Sequence, residues 1–263
     1  MQGLRYEMVC SSKTGLVRGN NEDNFCFFGK VMPMNHQSLE GLYSSTGLCA
    51  DGALVGVFDG MGGHARGELA SFTAAEALAA IAGEGHEGSW DGERLVRALR
   101  DLNAAVLDVG ARAQAKNTGS TATLLALNGG DFVLANLGDS PAFLFRDGRM
   151  RELSVRHTDA ALAQSFGMKV RGRPRLMQYL GIPEDVMGLD PHIACEQAQD
   201  RDVILLCTDG LTDMVDAADI QAAVGDGTNL RRAYTRLRDA TMAAGARDNF
   251  TVLLCRLDSV SES

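Results

Sequence analysis

The chain has 263 residues, of which 45% are apolar and 22% are charged, and its formal net charge is −9. A chain of this length and composition can bury one large core, so we expect a single folded domain over residues 1–263 and not a disordered chain. The acidic balance argues against a nucleic-acid partner, and no apolar run approaches the roughly 20 residues that span a bilayer, so we expect no membrane partner.

The first half of the chain alternates between strand-like and helix-like patterns. Two strand-like runs, at residues 4–13 and 24–28, flank a polar loop. Residues 30–52 are polar and contain glycine, which indicates a long excursion between strands. The remaining predicted elements of this half are a buried strand at 53–58 and two amphipathic helices at 68–82 and 93–115.

The second half begins with three predicted strands, at residues 120–127, 131–137 and 142–146. The turn Asn128-Gly129-Gly130 would join the first two as a hairpin. Residues 151–200 give a weak and mixed signal. The last predicted elements are a strand at 203–207, a helix at 229–244 and a strand at 249–257.

These elements group into two strand-rich stretches around helical hairpins. Strands of this kind can bury their apolar faces against one another if they form two packed sheets, with the helices covering the outer faces. The sequence therefore predicts an α+β fold, a four-layer α-β-β-α sandwich of two antiparallel sheets flanked by helical hairpins.

Four of the strand-like runs meet a loop at an aspartate. The turns are Asp59-Gly60, Gly138-Asp139, Asp209-Gly210 with Asp213 four residues later, and Asp248-Asn249. Any one of them could be an ordinary polar loop start. Together they suggest that several strand ends converge on one acidic pocket. Clustered carboxylates raise one another's pKa unless cations neutralise them, and Mg²⁺ or Mn²⁺ are the ions that oxygen ligands suit.

Six short motifs occur in the order Arg-x-x-Asn-Glu-Asp (from Arg18), Asp-Gly-Met-Gly-Gly-His (from Asp59), Gly-Ser-Thr, Asn-x-Gly-Asp-Ser, Thr-Asp-Gly-Leu-Thr-Asp and Arg-Asp-Asn-x-Thr. With them the chain resembles the metal-dependent type 2C protein phosphatases, the PPM family, and especially their bacterial members. The resemblance extends from Arg18 to about Thr251. It implies the same α-β-β-α sandwich and hydrolysis of phosphoserine and phosphothreonine on proteins.

The resemblance also implies a site with two Mn²⁺ or Mg²⁺ ions and a hydroxide that bridges them. Asp59 would bridge both ions, with the Gly60 carbonyl on one of them, and Asp209 and Asp248 would complete the first ion's ligands. Glu22 would bind the second ion, with Asp23 as a ligand or acting through water. The alternative for Glu22 and Asp23 is a solvated pair of loop residues.

Asp139 and Asp213, with Asp209, match a looser third metal position of the family. Asp139 could instead cap a turn, and Asp213 could begin a helix. Arg18 matches the family's phosphate-binding arginine, whose planar guanidinium can hold two phosphoryl oxygens at once.

One position departs from the animal members of the family. They carry a histidine, the proposed general acid, where this chain has Met61. His64, three residues later, is a candidate catalytic residue that could orient substrate or water, or could face solvent. We do not assign it the proton transfer, because water can serve as the acid.

A basic cluster of Arg171, Arg173 and Arg175 lies in the region of the family's variable flap, which looks shortened here. Such a cluster is usually a solvated loop, but contact with an acidic phosphopeptide is an alternative. His157-Thr158-Asp159 resembles the family's Asp-His-Ser segment only loosely.

The N-terminus and the cysteines indicate the cellular setting. Residues 1–10 carry charges and no long apolar stretch, so no secretory signal is visible. The six cysteines form no Cys-x-x-Cys pair and several lie in apolar runs, which favours reduced core residues over disulfides or zinc ligands. We expect a cytoplasmic monomer.

The expected partners are phosphorylated proteins, namely a bacterial Ser/Thr kinase and its substrates. Two alternatives stay open. One is a catalytically weak family member that binds phosphoproteins as a regulator, although such proteins usually lose metal carboxylates that this chain retains. The other is a signalling phosphatase dedicated to one partner, although these usually carry an attached sensor domain.

Overall fold

The structure, a computed structural model, describes residues 3–62, 66–83, 89–115, 118–168, 174–225 and 227–260. The described strands are β1 (Leu4–Lys13), β2 (Asp23–Phe27), β3 (Tyr43–Leu48), β4 (Ala53–Met61), β5 (Gly119–Ser120), β6 (Ala122–Asn128), β7 (Asp131–Leu137), β8 (Ala142–Arg146), β9 (Arg149–Glu152), β10 (His192–Gln197), β11 (Val203–Cys207) and β12 (Phe250–Ser259). The described helices are α1 (Gly67–Gly83), α2 (Gly92–Arg112), α3 (Asp159–Ser165), α4 (Asp209–Thr212), α5 (Ala217–Val224) and α6 (Leu230–Ala243). None of these helices is both long enough and apolar enough to cross a bilayer.

The strands form two sheets with helices on both outer faces. The order across the first sheet is β3-β1-β12-β11-β8-β9, and the order across the second is β10-β7-β6-β4-β2, with the short β5 paired to the end of β4. Every pairing between these strands is antiparallel. Helices α5 and α6 pack on the first sheet, and α1 and α2 pack on the second. The predicted four-layer α-β-β-α sandwich is confirmed.

Strand β4 shows why the apolar run at 53–58 is continuous and not alternating. Val55 and Val57 point into the core between the two sheets. Leu54 and Phe58 point the other way, into the core beneath α1 and α2. A strand that is buried on both faces needs apolar residues at every position, and this strand carries Asp59 into the site from a rigid base.

The predicted hairpin at Asn128-Gly129-Gly130 is also confirmed. Asn128 pairs with Asp131, so β6 turns directly into β7. Gly129 has a φ of 65°, a conformation that favours glycine. The hairpin returns the chain along the sheet and brings Gly138-Asp139 back to the end where β4 finishes.

The sequence prediction missed three strands and the short helices α3 and α4, and it gave a helix near α5 only as an alternative for Asp213. Strand β3 lies within residues 30–52, where a long excursion was expected. Strand β9 overlaps the start of the weak region 151–200, and α3 and β10 lie within it. All three strands are at sheet edges. Edge strands have a pairing partner on one side, and β3 has alternate positions exposed, so a polar sequence such as Tyr-Ser-Ser-Thr-Gly-Leu can form it.

The cysteine prediction holds for five positions and fails for one. All six cysteines are free, and five of them are buried. Cys195 is exposed, because it lies on the edge strand β10. It is therefore not a core residue.

Candidate active site

The acidic turns meet at one end of the sandwich. In antiparallel sheets, the last residues of one strand lie beside the first residues of the next. Strands β4, β7 and β11 end there, and β2 and β12 begin there. Asp23 lies directly opposite Asp59 in the pairing of β2 with β4.

An open cleft of about 580 Å³ lies at this end. Seven of the residues predicted for the site line it: Arg18, Glu22, Asp59, Gly60, Asp139, Asp209 and Asp248. Met61, Thr121, Pro174, Leu176 and Asn249 also line it. The residues that line this one cavity are thus far apart in the chain, from Arg18 to Asn249.

The other predicted site residues lie elsewhere. Asp23 is buried behind the cleft wall, with 1% of its surface exposed. Asp213 is exposed and follows the last residue of α4. Because Asp216 is the N-cap of α5, the alternative that Asp213 begins a helix is wrong. His64, Arg171 and Arg173 lie outside the described residues.

Two glycines allow three backbone segments to meet beneath the cleft. A side chain at Gly60 would overlap the Gly67 carbonyl and the Glu22 carbonyl, and a side chain at Gly67 would strike the Glu22 carboxyl group. The Gly60 N–H donates to the Glu22 carbonyl at 3.0 Å. Glu22 is therefore held against the Asp59-Gly60 turn by contacts that only glycine permits.

The carboxyl groups of Asp59 and Asp209 lie within hydrogen-bond reach of each other. Burial, and then the nearby carboxylates of Asp23 and Asp209, raise the pKa of Asp59 well above its ordinary value. Burial, followed by Asp139 and Asp213, raises the pKa of Asp209 to about 7. Two carboxylates this close must share a proton or bind a cation.

Asp23 is held by hydroxyl groups. Thr208 Oγ1 donates to Asp23 Oδ2 at 2.7 Å, and Thr251 Oγ1 donates to the same oxygen at 2.8 Å. Burial dominates over these hydrogen bonds and raises the pKa of Asp23 to about 8. The residue is thus a buried acidic group behind Asp59, and the solvated pair considered for Glu22 and Asp23 does not describe it.

Arg18 is the basic residue of the described cleft lining, and it contacts Asp248. Arg18 Nη2 donates to Asp248 Oδ2 at 2.7 Å, and this hydrogen bond raises the pKa of Arg18. The nearby charges of Glu22 and Asp59 raise it further. The side chain of Arg18 is 40% exposed, so its guanidinium can also reach a ligand in the cleft.

Asn249 fixes the loop that carries Glu22, and the sequence analysis did not single it out. Its Oδ1 accepts from the Glu22 N–H at 2.8 Å, while its Nδ2 donates to the carbonyls of Thr14 and Asn20 at 2.9 and 2.8 Å. The signal was available, because Asn249 belongs to the Arg-Asp-Asn-x-Thr motif. One amide side chain therefore joins the start of β12 to the N-terminal loop.

His157 was named above only as part of a loose match to a family segment, and its role in the site was not predicted. Its ring Nδ1 accepts from the Gly138 N–H at 3.0 Å, and its backbone N–H donates to the Gly138 carbonyl at 2.9 Å. Its carbonyl accepts from the Met177 N–H at 2.8 Å. His157 thus connects the turn that carries Asp139 with the segment that contributes Pro174 and Leu176 to the cleft.

Glu68, in the first turn of α1, extends the acidic cluster behind Glu22. Asn20 Nδ2 donates to Glu68 Oε1, while Glu68 Oε2 is buried with no hydrogen-bond partner among the described residues. Burial, and next the charge of Glu68, raise the pKa of Glu22. No pattern in a single sequence separates this glutamate from an ordinary residue of a helix start.

The donor set of the cleft suits hard divalent cations. It consists of carboxylate and carbonyl oxygens at Asp59, Gly60, Asp209, Asp248 and Glu22, and burial together with neighbouring carboxylates raises the pKa of Asp59 and of Asp209. As the described side chains are placed, no three acidic, histidine or cysteine residues form a ready-made metal-binding group. Oδ2 of Asp248 instead accepts a hydrogen bond from Arg18, so a bound ion would compete with this guanidinium for the carboxylate.

Comparisons with known proteins identify the family. Residues 45–244 match the family described as protein phosphatase 2C. The matched segment contains Asp59, Asp139 and Asp209, whereas Arg18, Glu22 and Asp248 lie outside it and join them in the cleft of the structure.

The serine/threonine protein phosphatase PstP of Mycobacterium tuberculosis is 29% identical over 95% of this chain and 44% of its own length, so the chain spans less than half of PstP. The serine/threonine phosphatase stp of Listeria innocua is 28% identical over 76% of this chain and 83% of its own length. A solved structure of the PstP catalytic domain in complex with two manganese ions matches with 27% identity and a TM-score of 0.77, covering 97% of this chain and all of that one. The chain belongs to the protein phosphatase 2C family.

Proposed function

We propose that this protein is a Mn²⁺- or Mg²⁺-dependent phosphatase that hydrolyses phosphoserine and phosphothreonine on proteins. The observation that carries the proposal is the cleft, in which Asp59, Asp209, Asp248 and Glu22 converge with Arg18 from four separate parts of the chain. An acidic cleft would repel a phosphate dianion, so the carboxylates must be neutralised before such a substrate can bind.

Asp59, Asp209 and Asp248 would hold one ion, and Asp59 and Glu22 a second, with the Gly60 carbonyl as a further ligand. When bound, two divalent cations supply a nucleophilic hydroxide at neutral pH and neutralise phosphoryl oxygens. The contacts of Gly60 with Glu22 and of Asn249 with Glu22 keep these oxygen atoms in a rigid arrangement. Asp139 and Asp213 flank Asp209 and would form a third, more exposed position.

Arg18 would bind the phosphoryl group of the substrate. Among the described residues that line the cleft, Arg18 is the one that carries a guanidinium group, and 40% of its side chain is exposed to solvent. A guanidinium offers two parallel donors to phosphoryl oxygens. Because Met61 carries no titratable group, we propose that water protonates the departing serine or threonine alkoxide. The substrates would be phosphoproteins produced by a Ser/Thr kinase.

The test is hydrolysis of phosphoserine, phosphothreonine and phosphotyrosine peptides by the purified protein, with Mn²⁺, with Mg²⁺ and with EDTA. We expect phosphate release from the first two peptides only, loss of activity in EDTA and recovery on adding either metal. An Asp101→Asn variant, altered at an exposed position on α2, should behave like the wild type. Binding of the peptides without any phosphate release in Mn²⁺ would indicate a phosphoprotein-binding regulator and overturn the proposal.

A further inference from the structure

A narrow basic groove lies between helix α6 and the segment that crosses the end of β1. Its volume is about 260 Å³, and its lining includes Lys13, Leu42, Arg231, Tyr234, Thr235 and Arg238. We call it the α6 groove. It is separate from the acidic cleft, and none of the motifs discussed above involves it.

The groove has a regular basic wall. Arg231, Thr235 and Arg238 are spaced by four and then three residues, so they lie on one face of α6. Across the groove stands Lys13. The helix contains four arginines and one aspartate, in a chain whose formal net charge is −9. Helix α6 therefore carries a net positive charge, although the chain as a whole is acidic.

Of the three cations that line the groove, Arg238 is paired with Asp239 at 2.7 Å, whereas Lys13 and Arg231 have neutral partners. Lys13 Nζ donates to the Leu39 carbonyl at 2.6 Å, and Arg231 Nη2 donates to the Ser44 hydroxyl at 3.0 Å. Both partners are neutral, and within the described ranges no carboxylate forms an ion pair with either cation. Burial, and then the charge of Arg238, lower the pKa of Lys13, while the nearby carboxylate of Glu40 opposes this shift. An anion entering the groove would relieve this repulsion.

The groove is connected to the cleft by short stretches of chain. Lys13 precedes Thr14, whose carbonyl accepts from Asn249, the neighbour of Asp248. The segment after α6 returns to the same place, since the Leu16 N–H donates to the Ala246 carbonyl at 2.8 Å. Two apolar side chains in the chain segment between Lys13 and Arg18, Leu16 and Val17, are 61% and 68% exposed.

We propose that the α6 groove binds an acidic segment of the phosphoprotein substrate while the phosphorylated residue occupies the cleft. This inference rests on the function proposed above. An extended peptide could pass from Arg18 across Leu16 and Val17, and its Asp or Glu side chains would then meet Lys13, Arg231 and Arg238. The groove is small, about 260 Å³, so a single peptide carboxylate fits it, whereas the extended surface of a nucleic acid or a membrane does not.

The experiment uses a series of phosphothreonine peptides in which an acidic cluster occupies successive positions on either side of the phosphothreonine. The control peptide has Asn and Gln in place of Asp and Glu. At low ionic strength we expect one position of the acidic cluster, or one register, to give a kcat/KM about 5-fold higher than that of the control peptide, because KM is lower. An effect of this size is expected from a few partly exposed ion pairs. The preference should vanish at high salt.

The double variant Arg231→Glu with Arg238→Glu should abolish this preference and leave kcat/KM for the neutral peptide unchanged. The matched control is Arg232→Glu with Arg236→Glu, which makes the same charge change at two exposed positions outside the groove lining of the same helix. Equal kcat/KM for the acidic and neutral peptides in every register would overturn the inference. So would an equal loss of the preference in the control pair.

A binding measurement separates this inference from the phosphatase proposal. Fluorescence anisotropy of the unphosphorylated acidic peptide should show salt-sensitive binding that the groove variant loses and the control variant keeps, whether or not the protein hydrolyses any phosphopeptide. A preference for a single-stranded oligonucleotide of equal charge over the peptide would overturn the assignment. Dimerisation that the groove variant alone abolishes, followed by size-exclusion chromatography, would assign the groove to a second copy instead.

Discussion

Arg18 and Asp248, 230 positions apart in the chain, form an ion pair of 2.7 Å at the rim of the acidic cleft. One residue is the proposed phosphate ligand and the other a proposed metal ligand. The pair implies a competition, because an ion that binds Asp248 would compete with the Arg18 guanidinium for the same carboxylate. The same exchange would free the guanidinium for the substrate.

Replacement of Arg18 by Ala should therefore have two opposite effects. The value of kcat/KM for phosphopeptides should fall by on the order of 10-fold or more, since a charged hydrogen bond of roughly 1.5–3 kcal/mol is lost. The concentration of Mn²⁺ needed for half-maximal binding should fall, because Asp248 no longer has a competing partner. Steady-state kinetics at saturating Mn²⁺ and calorimetric Mn²⁺ titration measure the two effects.

Arg18→Lys should recover only part of kcat/KM, because one ammonium group cannot reproduce the two parallel donors of the guanidinium. Arg247→Ala, at an exposed neighbour of Asp248 outside the cleft lining, is the control and should change neither quantity. An Arg18→Ala protein with wild-type kcat/KM would remove Arg18 from the phosphate site.

Asp59→Asn should abolish turnover and at the same time stabilise the metal-free protein. Burial and the neighbouring carboxylates make the charged form of Asp59 unfavourable, and an amide removes that repulsion without changing the shape. Thermal denaturation in EDTA at pH 7.5 should show a higher Tm for the variant. Added Mn²⁺ should raise the Tm of the wild type and leave that of Asp59→Asn nearly unchanged.

The control for this comparison is Asp213→Asn, at an exposed carboxylate beside Asp209. It should change the metal-free Tm little. If Asp59→Asn were less stable than the wild type in EDTA, the carboxylates would not be repelling one another and their assignment as a cation site would fail.

Asp139→Asn should reduce the rate less than Asp59→Asn, because Asp139 lies beside Asp209 and not between the two proposed ions. His157→Ala should produce a similar partial loss, since the Gly138-Asp139 turn loses the acceptor of its Gly138 N–H. Rates measured over a Mn²⁺ titration should show that high Mn²⁺ restores much of the activity of both variants. An Asp139→Asn defect as severe as that of Asp59→Asn, at any Mn²⁺ concentration, would contradict a peripheral third position.

The stability of the metal-free protein should fall as the pH rises from 6.5 to 8. Asp23 and Asp209 have pKa values of about 8 and about 7 in the folded chain, against 3.8 ordinarily, so the folded state binds more protons than the unfolded state in this window. Each such proton contributes a loss of at most about 1.4 kcal/mol per pH unit. The lowered pKa values of His36 and His157 act in the opposite direction, but only below their ordinary value of 6.5.

Urea denaturation in EDTA at several pH values measures this slope. Saturating Mn²⁺ should remove most of it, because bound cations keep the carboxylates ionised in the folded state. A metal-free protein that gains stability between pH 6.5 and 8 would show that Asp23 and Asp209 are ionised without any cation.

The sequence predicted the central strands and the long helices well, and the edge strands poorly. Strand β4 is buried on both faces, so its composition is dictated by the core and is visible as an apolar run. Strand β3 is held by pairing with β1, a contact between residues 5–10 and 43–48 that local sequence does not encode. Strands β9 and β10 were missed for the same reason.

For the site, the motifs located the carboxylates but not the residues that orient them. Asp59, Asp209 and Asp248 each follow or precede an apolar run, and seven of the predicted residues do line one cleft. The roles of Asn249 and His157 depend on hydrogen bonds to backbone groups of distant segments. The Arg18–Asp248 pair could not be foreseen either, because motif resemblance assigned the two residues to different ligands.

The pairing of β1 with β12 has a consequence for biosynthesis. These strands are neighbours in the first sheet over ten consecutive pairs, from Leu4 with Ser259 to Lys13 with Phe250. During synthesis on the ribosome, β1 therefore cannot pair with β12 until nearly 250 further residues have been translated. Until then the loop of Arg18 and Glu22 lacks the amide of Asn249 that orders it. The proposed active site is therefore incomplete in the nascent chain, and it forms only when the last strand joins the first.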